Sequence, residues 1–257
     1  MSQKLFPQGA VLVVGGSGGV GRFVCQEFAN SGTDVALTYK SNKAVAEETA
    51  AKIRATGRKV TIHALDTSDA AQVAAVVEAA EREHGRLHTV VYGAAPLANQ
   101  LLVSEYTLER WHQAIDLEVN GFFRVVHATL PRLKAKGGGS YVHLGSAGHR
   151  WWPERDGLSV IPKAANEALI QGLAKEEGKH GIRANSVLLG VIEAGMFLEL
   201  TKQGVFDQAW VDEVQKLLAL KRWGKPEEIG YAAVFLASNR AAYVTGQVIS
   251  VSGGFGV

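Results

Sequence analysis

The stretch Gly15-Gly16-Ser17-Gly18-Gly19-Val20-Gly21 follows an apolar run, Ala10–Val14, that has the length of a buried strand. Glycines allow a tight turn and let the backbone approach a ligand closely. The residues after this stretch have the pattern of a helix, whose N-terminus offers unpaired N–H groups to a phosphate. A Gly-rich loop between a strand and a helix therefore predicts a dinucleotide-binding βαβ unit.

The rest of the chain alternates short β-branched runs with longer alanine-rich runs. Further strands are predicted at 34–39, 59–64, 88–92, 140–144, 183–188 and 247–251. Helices are predicted at 20–31, 42–56, 69–84, 107–135, 158–179 and 226–238. This alternation predicts an α/β protein of the Rossmann type, with a doubly wound, seven-stranded parallel sheet and helices on both faces.

No linker or repeat divides the chain, so we expect one dinucleotide-binding domain over residues 1–257. The segment 191–225 breaks the alternation with two short helical patterns. We expect this segment to be a substrate lid.

Composition excludes several classes of function. Apolar residues make up 47% and charged residues 20%, and the net charge is +2. Disorder, nucleic-acid binding and a membrane surface are therefore not expected. The single cysteine, Cys25, lies in an apolar helical pattern and should be a buried thiol. No apolar run has the length of a bilayer span, and the histidines show no metal-ligand spacing. We expect a cytoplasmic protein without a metal, acting on a small molecule.

The spacing Gly15-x-x-x-Gly19-x-Gly21 resembles that of the short-chain dehydrogenase/reductase family, and the resemblance covers nearly the whole chain. Other segments similar to family signatures are 64–67, 118–121, 144–146, 222–229 and 245–249. The 3-oxoacyl-carrier-protein-reductase-like branch is the most similar. The resemblance implies a nicotinamide-dependent oxidoreductase that forms a homodimer or homotetramer through the helices near 107–135 and 158–179.

The resemblance also implies which residues bind the dinucleotide. They are Gly15, Ser17, Gly18, Gly19, Val20, Gly21, Tyr39, Lys40, Ser41, Asp66, Thr67, Gly93, Lys163, Gly190 and Ile192. Within this set, Asp66 is expected to contact the adenine amine and Lys163 the nicotinamide ribose.

The end of the second predicted strand bears on the choice of coenzyme. An NAD site usually has an acidic residue there that binds the ribose 2′-hydroxyl. This chain reads Tyr39-Lys40-Ser41-Asn42-Lys43, with no carboxylate. Lys40 or Lys43, with the neighbouring hydroxyl and amide donors, can hold a 2′-phosphate instead. We expect NADP(H) rather than NAD(H); the alternative is a solvated basic turn.

The family's catalytic motif is Tyr-x-x-x-Lys, whereas this chain reads Ser159-Val160-Ile161-Pro162-Lys163. Ser146 lies 13 residues before Ser159, which is the family's spacing between its serine and tyrosine. The resemblance implies that Ser146 orients the substrate oxygen, that Asn120 takes part in a proton relay and that Lys163 lowers the pKa of the tyrosine. A serine hydroxyl is a much weaker acid than a phenol, and it is shorter by an aromatic ring.

Further departures from the family lie near the nicotinamide half of the site. Tyr92-Gly93-Ala94-Ala95 stands where Asn-Asn-Ala-Gly is common, Leu189-Gly190 where Pro-Gly is common, and Ala194 where a threonine is usual. Several changes at one end of the site favour natural change over an engineered single knockout.

The segment 149–157 is expected to line the substrate pocket and offers substitute acids. Histidine titrates in the range that acid–base catalysis needs, so His149 is the first candidate. Weaker candidates are Glu154, Asp156 and Tyr92. Trp151 and Trp152 can form an apolar wall for a ligand. The alternative is a loop packed by its tryptophans, with its charges in water.

Three functions follow from these patterns. The first is an NADP(H)-dependent oxidoreductase acting on a ketone or secondary alcohol, with Ser146, Lys163, Asn120, Ser159 and His149 as the catalytic set. The second is an inactive subunit or binding protein that pairs with an active paralogue. The third is a lyase or isomerase that uses the same cleft.

Overall fold

A computed structural model of the chain describes residues 4–98 and 100–257. Seven strands form one sheet in the order β3-β2-β1-β4-β5-β6-β7, and all neighbouring strands are parallel. The strands are β1 (Ala10–Val14), β2 (Asp34–Tyr39), β3 (Val60–Ala64), β4 (Leu87–Tyr92), β5 (Gly139–Ser146), β6 (Ile182–Leu189) and β7 (Val248–Val251). The predicted seven-stranded Rossmann sheet is confirmed.

Helices cover both faces of the sheet. They are α1 (Gly21–Asn30), α2 (Lys43–Ala55), α3 (Ala70–His84), α4 (Leu108–Ile115), α5 (Gly121–Ala135), α6 (Gly157–Glu177), α7 (Met196–Lys202), α8 (Gln208–Leu217) and α9 (Pro226–Ala237). One apolar cluster joins the sheet to α1, α2 and α9, and a second joins it to α3, α5 and α6.

The sequence of β1 shows why two clusters form. Val11 and Val13 belong to the first cluster, whereas Ala10, Leu12 and Val14 belong to the second. Successive side chains on a strand point to opposite faces, so an unbroken apolar run supplies both cores at once.

The strand order places a crevice at the carboxyl ends of β1 and β4. The chain moves from β1 through β2 to β3 on one side, then returns to pair β4 with the other side of β1. Ligands of open α/β sheets bind at such a reversal. The backbone N–H of Gly93, after β4, donates to the carbonyl of Val14 at 3.0 Å and joins the two strand ends.

The predicted helix over 107–135 is divided in the structure. A π-helical turn, Asp116–Asn120, separates α4 from α5. The buried Tyr92 hydroxyl donates to the Leu117 carbonyl at 2.7 Å, and the Arg124 guanidinium donates to the Asp116 carboxylate at 2.7 Å. These bonds hold the wider turn against the end of β4.

The segment 191–225 contains α7 and α8, in agreement with its two helical patterns. Cys25 is fully buried in α1, and burial raises the pKa of its thiol. Across the described residues, no helix has both the length and the apolar character needed to cross a membrane.

Candidate functional site

A cleft of about 420 Å³ opens at the carboxyl ends of β1 and β4. The predicted cofactor-binding residues that line it are Gly15, Ser17, Gly18, Gly19, Tyr39, Lys40, Ser41, Thr67 and Gly93. Val20 and Gly21 follow directly and begin α1. The cleft therefore follows the Gly-rich loop, the end of β2 and the segment after β4.

The Gly-rich loop leaves room for a phosphate because it has no side chains at its tightest points. Gly15 has a φ of 84°, and a Cβ there would lie 2.9 Å from the Ala94 nitrogen. A Cβ at Gly21 would lie 2.1 Å from the Gly15 carbonyl oxygen. No side chain caps the N-terminus of α1, and no acidic residue lies in its first turn. These features fit a pyrophosphate at the helix N-terminus.

The segment before α7 rests on this loop. A Cβ at Gly19 would lie 2.2 Å from the Gly195 nitrogen, so the two backbones are in direct contact. Gly195 has a φ of 54°, which favours glycine. The base of the 191–225 segment thus lies beside the phosphate-binding loop.

An ion pair joins the end of β2 to the segment after β3. The Lys40 ammonium lies 2.7 Å from a carboxylate oxygen of Asp66. The other Asp66 oxygen accepts from the Ser68 backbone N–H at 3.0 Å and from its hydroxyl at 2.8 Å. The Lys40 ammonium, followed by the Ser68 N–H, lowers the pKa of Asp66 to about 2. Both residues were expected to bind the dinucleotide, and here they bind each other.

A second ion pair is buried between α6 and the π-helical turn Asp116–Asn120. The Lys163 ammonium lies 2.8 and 3.1 Å from the two carboxylate oxygens of Glu118. The Lys163 side chain is 12% exposed and that of Glu118 is 3% exposed. Burial raises the pKa of Glu118, and the Lys163 charge opposes that rise. Glu118 therefore largely neutralises the charge that the family's lysine presents to its tyrosine.

The structure does not bring Asn120 to Lys163. Asn120 is exposed, and its amide donates to the Asp116 carboxylate at 3.1 Å. Residues two apart on a helix point to nearly opposite sides, so Glu118 faces inward where Asn120 faces solvent. The fully buried Asn166 fixes this turn by donating to the Glu118 carbonyl at 3.1 Å. The sequence analysis did not identify Glu118 as a site residue. The signal that could have found it was an acidic residue inside the segment 118–121.

The two serines of the predicted catalytic set are held differently. Ser159 is buried, and its hydroxyl oxygen lies 3.4 Å from the Lys163 nitrogen. Ser146 ends β5, and its hydroxyl oxygen accepts from the Gly148 N–H at 3.1 Å. That bond leaves the Ser146 hydrogen free to donate to a substrate oxygen.

His149 is the last residue of a short 3₁₀ turn, Ala147–His149, that directly follows Ser146. Its Nδ1 lies 2.9 Å from Oε1 of Glu167, a residue of α6 one turn beyond Lys163. Glu167 is buried and was not singled out in the sequence. The sequence signal was a glutamate four residues after the retained lysine.

The weaker candidate acids lie elsewhere. Tyr92 is buried and its hydroxyl is bonded to the Leu117 carbonyl; burial raises the pKa of this phenol. Asp156 accepts from the Gln100 amide at 3.0 Å, and burial raises the pKa of its carboxyl. Glu154 is solvent-exposed. Trp151 and Trp152 are each about half exposed.

The remaining predicted residues follow β6 at the nicotinamide end. Gly190 donates to the Val251 carbonyl at 3.1 Å, and a Cβ there would lie 2.7 Å from the Ser252 Cα. Ile192 is buried and pairs with Gly224. Within 4–98 and 100–257, no group of three or more His, Cys, Asp or Glu side chains is arranged to hold a metal.

The sequence and fold match known proteins over nearly their whole lengths. A family model described as enoyl-(acyl carrier protein) reductase matches residues 15–256. The chain belongs to the short-chain dehydrogenase/reductase family. It is 34% identical over 250 residues to the 3-oxoacyl-[acyl-carrier-protein] reductase FabG of Chlamydia muridarum, covering 95% of this chain and 96% of that protein.

Two solved structures show the same fold. A short-chain dehydrogenase/reductase from Mycobacterium ulcerans superposes with a TM-score of 0.90 at 28% identity, covering 97% of this chain and 90% of that one. A blue fluorescent protein from a metagenomic library, solved with NADPH, gives 0.87 at 28% identity, covering 99% and 100%. The homologues are short-chain oxidoreductases, which supports an oxidoreductase here.

The Glu118–Lys163 pair gives a prediction for stability. Glu118→Gln leaves a buried ammonium without its counter-charge, which should lower the free energy of unfolding by about 3–5 kcal/mol. Lys163→Met should lower the free energy of unfolding by a smaller amount at low pH. Without the Lys163 charge the pKa of Glu118 rises further, so its carboxyl is neutral there. That pKa lies above the unfolded value, so this variant should lose stability as pH rises through it.

The double variant Glu118→Gln/Lys163→Met removes both charges, and its loss should be about 2–3 kcal/mol smaller than the sum of the single losses. Urea unfolding of the four proteins measures this coupling. The exposed pair Lys52–Glu48 is the matched control, with little coupling expected. If the loss of unfolding free energy in the double variant equals the sum of the two single losses, the two side chains do not stabilise each other, which would contradict this prediction.

Proposed function

We propose that the protein is an NADP(H)-dependent oxidoreductase that interconverts a ketone and a secondary alcohol, with an atypical proton donor. The observation that carries this proposal is the cleft lined by the Gly-rich loop and the end of β2, which opens beside the uncapped start of α1. A bound nicotinamide dinucleotide supplies or accepts a hydride.

The coenzyme proposal rests on charge at the end of β2. Lys40 reaches across the adenosine end of the cleft to Asp66, and Lys43 begins α2 nearby. A 2′-phosphate supplies a stronger anionic partner for Lys40 than a ribose hydroxyl does. The similar protein solved with NADPH supports the phosphorylated form.

Three residues of the predicted catalytic set then have a role. Ser146 donates a hydrogen bond to the substrate oxygen. Lys163, held by Glu118, binds the nicotinamide ribose, whereas Ser159 leaves the acid position empty. His149 is the proton donor to the alkoxide oxygen as the alcohol forms. Asn120, exposed beside Asp116, has no part in the relay that the family resemblance assigned to it.

Assembly is proposed as a homodimer or homotetramer. Phe123 on α5, and Tyr231 and Phe235 on α9, are large apolar side chains exposed on the single chain. Phe123 lies on one face of the sheet, whereas Tyr231 and Phe235 lie one turn apart on the other. Exposed large apolar side chains of this kind are typical of interfaces. The segment 191–225 is proposed as the substrate lid, since its base contacts the Gly-rich loop.

The relatives support the oxidoreductase and neither of the other two candidates.

The proposed function is tested by coenzyme binding and turnover together. NADPH should quench or shift tryptophan fluorescence saturably, and a panel of ketones should give loss of the reduced nicotinamide absorbance. Lys163→Met should weaken binding of the coenzyme by roughly 10-fold or more, because a charged hydrogen bond to its ribose is removed. Saturable binding without turnover on any ketone or alcohol would reject the oxidoreductase and leave the binding protein.

The coenzyme choice is tested by removing the basic group at β2. Lys40→Ala should raise the Kd of NADPH by roughly 10- to 100-fold and leave that of NADH nearly unchanged, since a charged phosphate contact is lost. Lys43→Ala is the matched variant that decides which of the two lysines is responsible. If each variant changes the Kd of NADPH and the Kd of NADH by the same factor, neither lysine determines a preference for the 2′-phosphate.

A further inference from the structure

Glu167 and His149 form a pair between α6 and the 3₁₀ turn that follows β5. Glu167 lies on α6, four residues after Lys163, and His149 lies three residues after Ser146. The two side chains thus come from the two elements that carry the retained serine and lysine. Their nearest atoms, His149 Nδ1 and Glu167 Oε1, are 2.9 Å apart.

Neither of these two atoms has another partner. Both are buried from solvent, and no hydrogen bond with good geometry reaches either one, including one between them. At 2.9 Å a small rotation of the imidazole brings an N–H onto the carboxylate, which satisfies both groups at once. A proton shared by this pair therefore removes two unsatisfied buried atoms.

The His149 side chain is 27% exposed although its Nδ1 is buried, whereas the Glu167 side chain is 8% exposed. The carboxylate is therefore shielded and the imidazole alone meets solvent. This is the arrangement in which a carboxylate sets the tautomer and charge of a histidine that works at its other nitrogen.

The charges around the pair are few. Arg150, in the same turn as His149, is exposed and lowers the pKa of Glu167, but burial dominates and raises it to about 7. His143 of β5 lies beside Gly145, which Glu167 also contacts; burial lowers the pKa of His143 to about 3, so it is neutral. Lys163 on the same helix is paired with Glu118.

We propose that Glu167 is a positioning residue that orients the His149 imidazole through Nδ1, and that this dyad supplies the proton that the family's tyrosine would have supplied. The proposal rests on the oxidoreductase function proposed above. Glu118 has neutralised Lys163, and Ser159 is a poor acid. His149, three residues after Ser146, is the proton donor that the proposed function assigns.

In reduction, the carbonyl carbon accepts a hydride from the reduced nicotinamide coenzyme, which is oxidised, and the C=O π bond becomes a lone pair on oxygen. That oxygen takes the proton from His149 Nε2, giving the alcohol and a neutral imidazole. His149 then regains a proton from solvent. Oxidation of the alcohol reverses each transfer.

Two measurements on the whole protein test the dyad. The first is an NMR pH titration of the imidazole without coenzyme, assigned by the loss of its signal in His149→Gln. The second is the pH dependence of kcat with NADPH and a ketone. Glu167→Gln removes the carboxylate charge, so both midpoints should move to lower pH by about one to two units. Glu167→Asp keeps the charge and should retain most of the native midpoint.

Glu176→Gln, an exposed glutamate on the same helix, is the matched control and should move neither midpoint. An NMR midpoint unchanged in Glu167→Gln would overturn the dyad itself. If the glutamine variant does not fold, a His149 midpoint in the native protein no higher than the ordinary histidine value of about 6.5 would overturn it instead. An NMR shift with an unchanged kcat profile would overturn the role as proton source. No turnover by the native protein would reject the proposed function and the acid role with it, whereas the NMR result still stands separately.

Discussion

The buried pair of Lys163 and Glu118 is the constraint on which the reactive end depends. An ammonium and a carboxylate that are almost wholly removed from water must remain together, because either one alone is costly to bury. The pair ties α6 to the π-helical turn Asp116–Asn120, and Asn166 reinforces that tie through the Glu118 carbonyl. It also leaves little net charge beside Ser159, so a phenol at this position would no longer have a free cation to lower its pKa.

The two ends of the cleft follow different physical rules. At the dinucleotide end, function needs backbone geometry, and glycines at positions 15, 19 and 21 provide it wherever the strand and helix meet. At the reactive end, function needs particular side chains at particular distances. Ser159 and Glu118 change those side chains while the strands and helices around them stay in place. The protein therefore keeps the family's fold, and the proposed function places a different set of charges beside the substrate.

This difference explains what the sequence could predict. The strands and helices follow local apolar periodicity, and even the broken helix over 107–135 was placed correctly apart from its π-helical turn. The side-chain partners were not predictable, because they join residues far apart in the chain. Lys163 meets Glu118 across 45 positions. Asn120 was assigned from a short motif, but the side chain that reaches Lys163 is that of Glu118, two residues earlier. Residues two apart on a helix point to nearly opposite sides. Glu167 had no partner in the sequence until the fold placed His149 against it.

The most direct test of this account is the acidity of a phenol placed at the missing position. Ser159→Tyr should give a phenol whose pKa stays near or above its ordinary value of about 10, since Glu118 neutralises Lys163. Adding Glu118→Asn should free the ammonium and lower that pKa by about one to three units. Difference ultraviolet titration against the parent proteins measures both values. A phenol of strongly lowered pKa in Ser159→Tyr alone, unchanged by Glu118→Asn, would contradict the account.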